Sequence, residues 1–148
     1  MDPETSWEYS VHIPNDPRAI PIARHTLRSI LTAHHLAGLT EDAELLATEL
    51  LTNAVRHTEG PASLRVRWCG ESLRLGVWDM DSRAPDFRPI DHDDEGGRGL
   101  YLVEMCADDW GWFTLSDQLL GPNGKFVWCE IAPKEARTAS VLRCDRAA

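Results

Sequence analysis

The sequence contains no long uncharged apolar run, and that lack excludes a membrane-spanning helix. It has no excess of basic charge either. Fifteen Lys and Arg stand against 24 Asp and Glu, a formal net charge of -9 over 148 residues. Nucleic acid phosphates are repelled by such a field, so direct nucleic-acid binding is disfavoured and a neutral or basic protein partner is easier to accommodate. Cysteine is sparse and scattered. Cys69, Cys106, Cys129 and Cys144 form no C-x-x-C pair and have no neighbouring His at metal-ligand spacing, so they read as reduced thiols, three of them packed. Residues Met1 to Ser10 lack the basic start and apolar stretch of a secretory signal, and the expected location is cytoplasmic. No internal repeat or low-complexity tract is present.

What is there is the composition of an ordinary globular domain. The length suits one compact unit over residues 1–134, and apolar periodicity lapses after Pro133, so 135–148 is expected to be a mobile tail. Trp7, Tyr9, Val11 and Ile13 alternate with polar residues as in a half-buried strand. A first helix is expected to start between Asp16 and Pro21 and to stop at Gly38. Thr40 is placed to cap a second helix, which carries Glu41, Asp42 and Glu44 in its first turn and reaches about Thr58. Alternation over Leu64 to Trp68 and Leu73 to Val77 predicts a hairpin. A loop of functional length, Met80 to Gly97, precedes a short helix from Gly99 to about Asp108. Two last strands, Trp110 to Ser116 and Lys125 to Ala132, flank a Gly-Pro-Asn-Gly turn. The order of elements predicts an α+β two-layer sandwich, with helices over one face of a mostly antiparallel mixed sheet.

Three groups of residues carry chemistry. Steps of four residues on a helix rotate by only ~40°, so Glu49, Asn53 and His57 form one slanted polar stripe. It borders an apolar face of Ala43, Leu46, Ala47, Leu50 and Ala54, which places a carboxylate and an amide where the helix meets the sheet. The plain alternative, a solvated edge of an amphipathic helix, stands about equal for this stripe alone. Asp79 ends the strand of Leu73, Leu75 and Val77 and shares their face by alternation, so its carboxylate points toward the helix layer. There it can receive the exocyclic amine of adenine; a turn-starting Asp is the common alternative. Gly96, Gly97, Arg98, Gly99 and Leu100 open a helix, where free backbone amides suit phosphate and Arg98 adds a charge. Such turns are frequent, and Leu102 at the third glycine position breaks the dinucleotide pattern G-x-G-x-x-G.

Together, in this order and spacing, the three groups resemble the GHKL ATPases, whose fold is the Bergerat or histidine-kinase-like one, and among them the serine kinases that act as bacterial anti-sigma factors. Glu49 to His57 looks like the family's N box, Val77 to Asp79 like its first glycine-box Asp, and Gly97 to Leu100 like its second glycine box. The resemblance implies an ATP-dependent protein serine/threonine kinase. Asn53 would ligate Mg2+, Glu49 would be the catalytic base toward the acceptor hydroxyl, and Asp79 would hold adenine. His57, Gly97, Arg98, Gly99 and Leu100 would complete the nucleotide site. It also implies a sigma factor and an antagonist protein as partners, and leaves a homodimer open. No phosphorylatable histidine box lies in the sequence, unlike a sensor histidine kinase, although a detached catalytic domain of that kind is a third reading.

The chain departs from the family in two places. It has Asp81 and Ser82 where glycines usually follow the adenine Asp, and Gly124-Lys125-Phe126 where a threonine follows the last box's glycine. The missing hydroxyl removes one support for Asp79 and ordered water, which favours a non-catalytic interaction module as the competing reading. The run Asp91 to Glu95 reads as a solvated lid segment and His34-His35 as helix-end surface, with the tryptophans mostly packing.

Overall fold

A computed structural model describes residues 6–85, 98–117 and 121–133 of the chain, without the side chains of 98, 99, 116, 117 and 121–123. The expected lid, Met80 to Gly97, is therefore described only to Pro85. Gly96, Gly97, the run Asp91 to Glu95 and the tail 135–148 lie outside the described residues.

The chain runs β1 (Trp7–Ile13), α1 (Ala19–Ala33), a 3-10 turn (Ala37–Leu39), α2 (Thr40–His57), β2 (Ala62–Trp68), β3 (Leu73–Asp79), α3 (Arg98–Cys106), β4 (Asp109–Asp117) and β5 (Gly121–Ile131). The strands form one sheet in the order β1-β2-β3-β5-β4. The expected mixed sheet is antiparallel at every described pairing. Hairpins account for β2-β3 and β4-β5, and the two-helix excursion after β1 returns the chain in the opposite sense beside it. β5 enters between β3 and β4, which sets it directly against Asp79.

The helices cover one face of this sheet. Ala23, Leu27, Leu31, Ala43, Leu46, Ala47, Leu50 and Leu51 from the helices meet Leu64, Val66, Leu73, Leu75, Val77, Val127, Cys129 and Ile131 from the strands in one apolar core. Both periodicities are the expected ones, three to four on the helices and two on the strands. The other sheet face carries Arg65, Arg67, Arg74, Phe113 and Trp128. There the Arg65 guanidinium lies over the Phe126 ring and the Arg74 guanidinium over Trp128, at 5.5 and 4.2 Å.

Several local expectations need correction. α1 starts at Ala19, between Asp16 and Pro21 as expected, with Pro21 in its first turn, where a missing N–H costs no helical hydrogen bond. It ends at Ala33, short of Gly38. His35 adopts a left-handed φ of 61°, and the amides of His35 and Leu36 bond back to the carbonyls of Thr32 and Leu31. This is a Schellman stop with histidine where glycine is usual. His34 caps the helix and stacks on Trp7, with ring centroids 4.3 Å apart, while the Tyr9 hydroxyl reaches its Nε2 at 2.7 Å. Thr40 is not a cap. It is the first helical residue, because the 3-10 turn runs straight into α2 from Leu39. The Gly-Pro-Asn-Gly segment belongs to β5, whose pairing with β4 already begins at Gly121 opposite Asp117. Of the three cysteines described, Cys129 is buried, Cys69 half-buried and Cys106 exposed on the last turn of α3.

Candidate functional site

The polar site lies where the C-terminal half of α2 crosses the ends of β3 and β5. α2 has favourable charges at both ends, Glu41 and Asp42 first and Arg56 and His57 last. The Asn15 side chain closes the far end by donating to the carbonyls of Val55 and Thr58 at 3.0 and 2.5 Å. Those bonds satisfy carbonyls that the helix leaves without partners. Asn53 is buried on this half of the helix, 8 % exposed, and Glu49, one turn earlier, is half-buried. His57 is exposed at the last turn.

Across from α2, the last rung of the β3-β5 ladder pairs Asp79 with Lys125. Both side chains are buried, and the Lys125 ammonium donates to Asp79 Oδ1 at 3.1 Å. The same oxygen accepts the Asp81 backbone N–H at 2.8 Å, while Lys125 Nζ also donates to the Asp81 carbonyl at 3.0 Å. Burial raises the Asp79 carboxyl above the ordinary carboxylate range, against the opposing pull of the Asp81 amide and the Lys125 ammonium. Gly124 makes the close approach feasible: its φ is +114°, and a Cβ there would overlap the Asp79 carbonyl oxygen.

The chain leaving β3 is tied down beside this pair. Arg83 donates to the Asp81 carboxylate through its backbone N–H and guanidinium, the ion pair closing at 2.7 Å, and reaches the His57 carbonyl at 3.3 Å. The Arg83 hydrogen bond holds Asp81 down at about 2. A continuous polar path therefore joins the end of α2 to the Asp79-Lys125 pair.

Asn53, His57, Asp81, Arg83, Ala84, Pro85 and Lys125 line a cleft of about 160 Å³. Of the sequence-predicted residues, Asn53 and His57 come together there. Asp79 sits directly behind Lys125, in contact with it. Glu49 is one helical turn away from Asn53 and is not part of the lining. Leu100 is buried in the first turn of α3 and belongs to the core; Arg98 and Gly99 open that helix, and Gly97 is outside the described residues. A larger groove on the outer side of α1 and α2, lined by Arg24, Arg28, Glu41 and Glu44, has no buried polar side chain.

Three contributors went unread as site residues in the sequence: Lys125, Asp81 and Arg83. The signal for Lys125 was available, since it alternates with Val127, Cys129 and Ile131 and so shares their inward face. Asp81 and Arg83 act through an Asx-type turn and a backbone carbonyl, which residue type alone does not announce.

The donor set fits magnesium and a nucleotide in type. Asn53 offers a buried neutral oxygen beside the cleft, and Mg2+ takes few protein ligands, leaving positions for water and phosphate. No group of three or more His, Cys, Asp or Glu side chains that could cage a metal occurs among the described residues, so no dedicated all-protein site competes with that arrangement.

A two-layer α+β sandwich with a polar cleft between one helix and the ends of two antiparallel strands is a fold class with several members. Residues 13–128 match the family model described as "Histidine kinase-like ATPase domain", and the chain belongs to that GHKL family. It is similar to the protein named "Serine-protein kinase RsbW" of Bacillus velezensis, 31% identical over 127 residues, 71% of this chain and 78% of that one. The protein of the same name from Bacillus subtilis is 30% identical over 118 residues, covering 66% and 72%.

Proposed function

We propose that this chain is an ATP-dependent protein serine/threonine kinase of the anti-sigma type, which restrains a sigma factor and switches partners when it phosphorylates an antagonist protein. The observation that carries the reading is the cleft between α2 and the β3-β5 ends, with buried Asn53 on one wall and Lys125, paired with buried Asp79, on the other. Similarity to proteins named serine-protein kinase supports the phosphoryl acceptor class.

ATP would supply the phosphoryl group and Mg2+ would neutralise its charge. Asn53 would hold the metal through its amide oxygen. Asp79 would accept a hydrogen bond from the adenine amine, and the α3 start at Arg98 and Gly99 would face phosphate with backbone N–H groups. Glu49 would take the proton of the incoming hydroxyl as that oxygen bonds to the γ-phosphorus, with ADP departing; general-base catalysis of this kind is worth ~10² to 10⁴ in rate. Partner binding at a location in the cytoplasm suits an acidic chain in which no described helix is long and apolar enough to cross a membrane.

The test is transfer of label from ATP to antagonist proteins that the chain binds. Glu49→Ala is expected to keep ATP affinity within a few-fold and to lose at least about a hundredfold in transfer. A second reading, an interaction module that transfers nothing, is favoured by one observation: Glu49 is absent from the cleft lining. Wild type that binds antagonists and labels none of them would establish that second reading.

A further inference from the structure

The Lys125 ammonium is the chemically unusual part of the cleft. It is 1% exposed, yet it lines the cavity, and two of its three N–H groups go to Asp79 Oδ1 and the Asp81 carbonyl. The third has no partner among the described residues. Asp79 engages protein donors through Oδ1, and Oδ2 makes no hydrogen bond among the described residues. The pair thus offers one donor from the cleft lining and one acceptor behind it. Stability alone gives no reason for it, because a buried ion pair on an apolar ladder can be replaced by apolar residues at little or no cost.

We propose that Lys125 is a base-reading residue, donating a charge-assisted hydrogen bond to N1 of adenine while Asp79 Oδ2 accepts from the exocyclic N6 amine. The inference rests on the nucleotide reading above and specifies its base. Adenine presents a donor at the protruding 6-position and an acceptor at the adjacent ring N1; guanine presents the reverse, a 6-oxo acceptor and an N1–H donor. Depth decides between them. Lys125 belongs to the cleft lining and Asp79 lies behind it, so the protruding group meets the carboxylate and must be a donor, and the ring atom meets the ammonium and must be an acceptor. Of the two purines, only adenine has that order at its 6-position and N1. Leaving a buried charged donor without its acceptor carries a larger penalty than losing a neutral hydrogen bond.

The experiment is calorimetric titration of the full chain, with Mg2+ present, against ATP, 1-deaza-ATP (which keeps the amine and lacks the N1 acceptor) and GTP. Wild type is expected to bind ATP at least about tenfold more tightly than either analogue. Lys125→Met, close in length and without a donor, is expected to weaken ATP and to bind ATP and 1-deaza-ATP alike. Equal wild-type affinity for ATP and 1-deaza-ATP overturns the base-reading role while leaving the nucleotide site intact. So does tighter binding of GTP, or a Lys125→Met variant that still prefers ATP. No binding of any of the three removes the nucleotide reading itself, and this inference with it. Should Lys125→Met fail to fold, the wild-type comparison of ATP with 1-deaza-ATP decides alone.

Discussion

Strands β3 and β5 pair over four inward rungs, and three of them differ in kind from the fourth. Leu73 faces Ile131, Leu75 faces Cys129 and Val77 faces Val127, whereas the last rung sets Asp79 against Lys125. All eight residues are at most 2% exposed. Burial is therefore equal along the ladder, and the chemistry is not. The apolar rungs gain from leaving water, while each ion of the last rung gives up several kcal/mol of hydration that its partner must offset. Cys129 shows the apolar environment directly, its thiol pushed up to about 12 by burial. An expensive rung retained only at the cleft end of the ladder points to recognition rather than to holding the sheet together.

Four substitutions or titrations sharpen that contrast. Asp79→Ala leaves a buried ammonium without its counter-charge and should cost about 3–5 kcal/mol in denaturant unfolding; a loss under 1 kcal/mol would mean that Lys125 swings out to solvent. Leu75→Ala, two rungs away, should cost about 2–5 kcal/mol by opening a cavity. Its folded fraction should nonetheless bind magnesium-ATP within a few-fold of wild type, and a parallel loss of binding would show that the two ends of the ladder are not separable.

Replacing the whole rung, Asp79→Leu with Lys125→Met, should leave stability unchanged or raise it by as much as about 4 kcal/mol while abolishing nucleotide binding. A double variant as unstable as Asp79→Ala would assign the pair to structure instead. The smallest effect is with pH. Arg83 lowers Asp81 from 3.8 to about 2 in the folded state, so its contribution is present above 3.8 and lost as pH falls from there toward 2. Asp79 has the opposite sign: burial raises its folded value, so its contribution is greatest at low pH and is lost as pH rises through that value. Carboxyl NMR titrations should separate the two groups on either side of 3.8, and coincident midpoints would contradict the assignment.

Much of this arrangement was legible in the sequence because it depends on periodicity. Alternation located β1, β2 and β3 and turned Asp79 inward, and the spacing of four placed Asn53 and His57 on one stripe of α2. The features that were missed depend on backbone geometry or on a neighbour across the sheet. α1 stops at a left-handed histidine, and nothing in residue type distinguishes His35 from a residue that continues a helix. The glycines of 121–124 read as a turn because glycine marks both turns and close approaches; the positive φ and close packing against Asp79 distinguish Gly124. Lys125 read as an absent threonine, although its own side chain supplies a stronger donor to the same carboxylate.

The most direct measurement is a calorimetric titration of magnesium-ATP into wild type and into Asp79→Asn, both shown to be folded. An amide presents a donor where the adenine amine also presents one, so wild type should bind and Asp79→Asn should bind at least about tenfold more weakly. Absence of heat and of any thermal shift with wild type at millimolar ATP, or equal affinity in the two proteins, would contradict the assignment of this end of the ladder to nucleotide recognition.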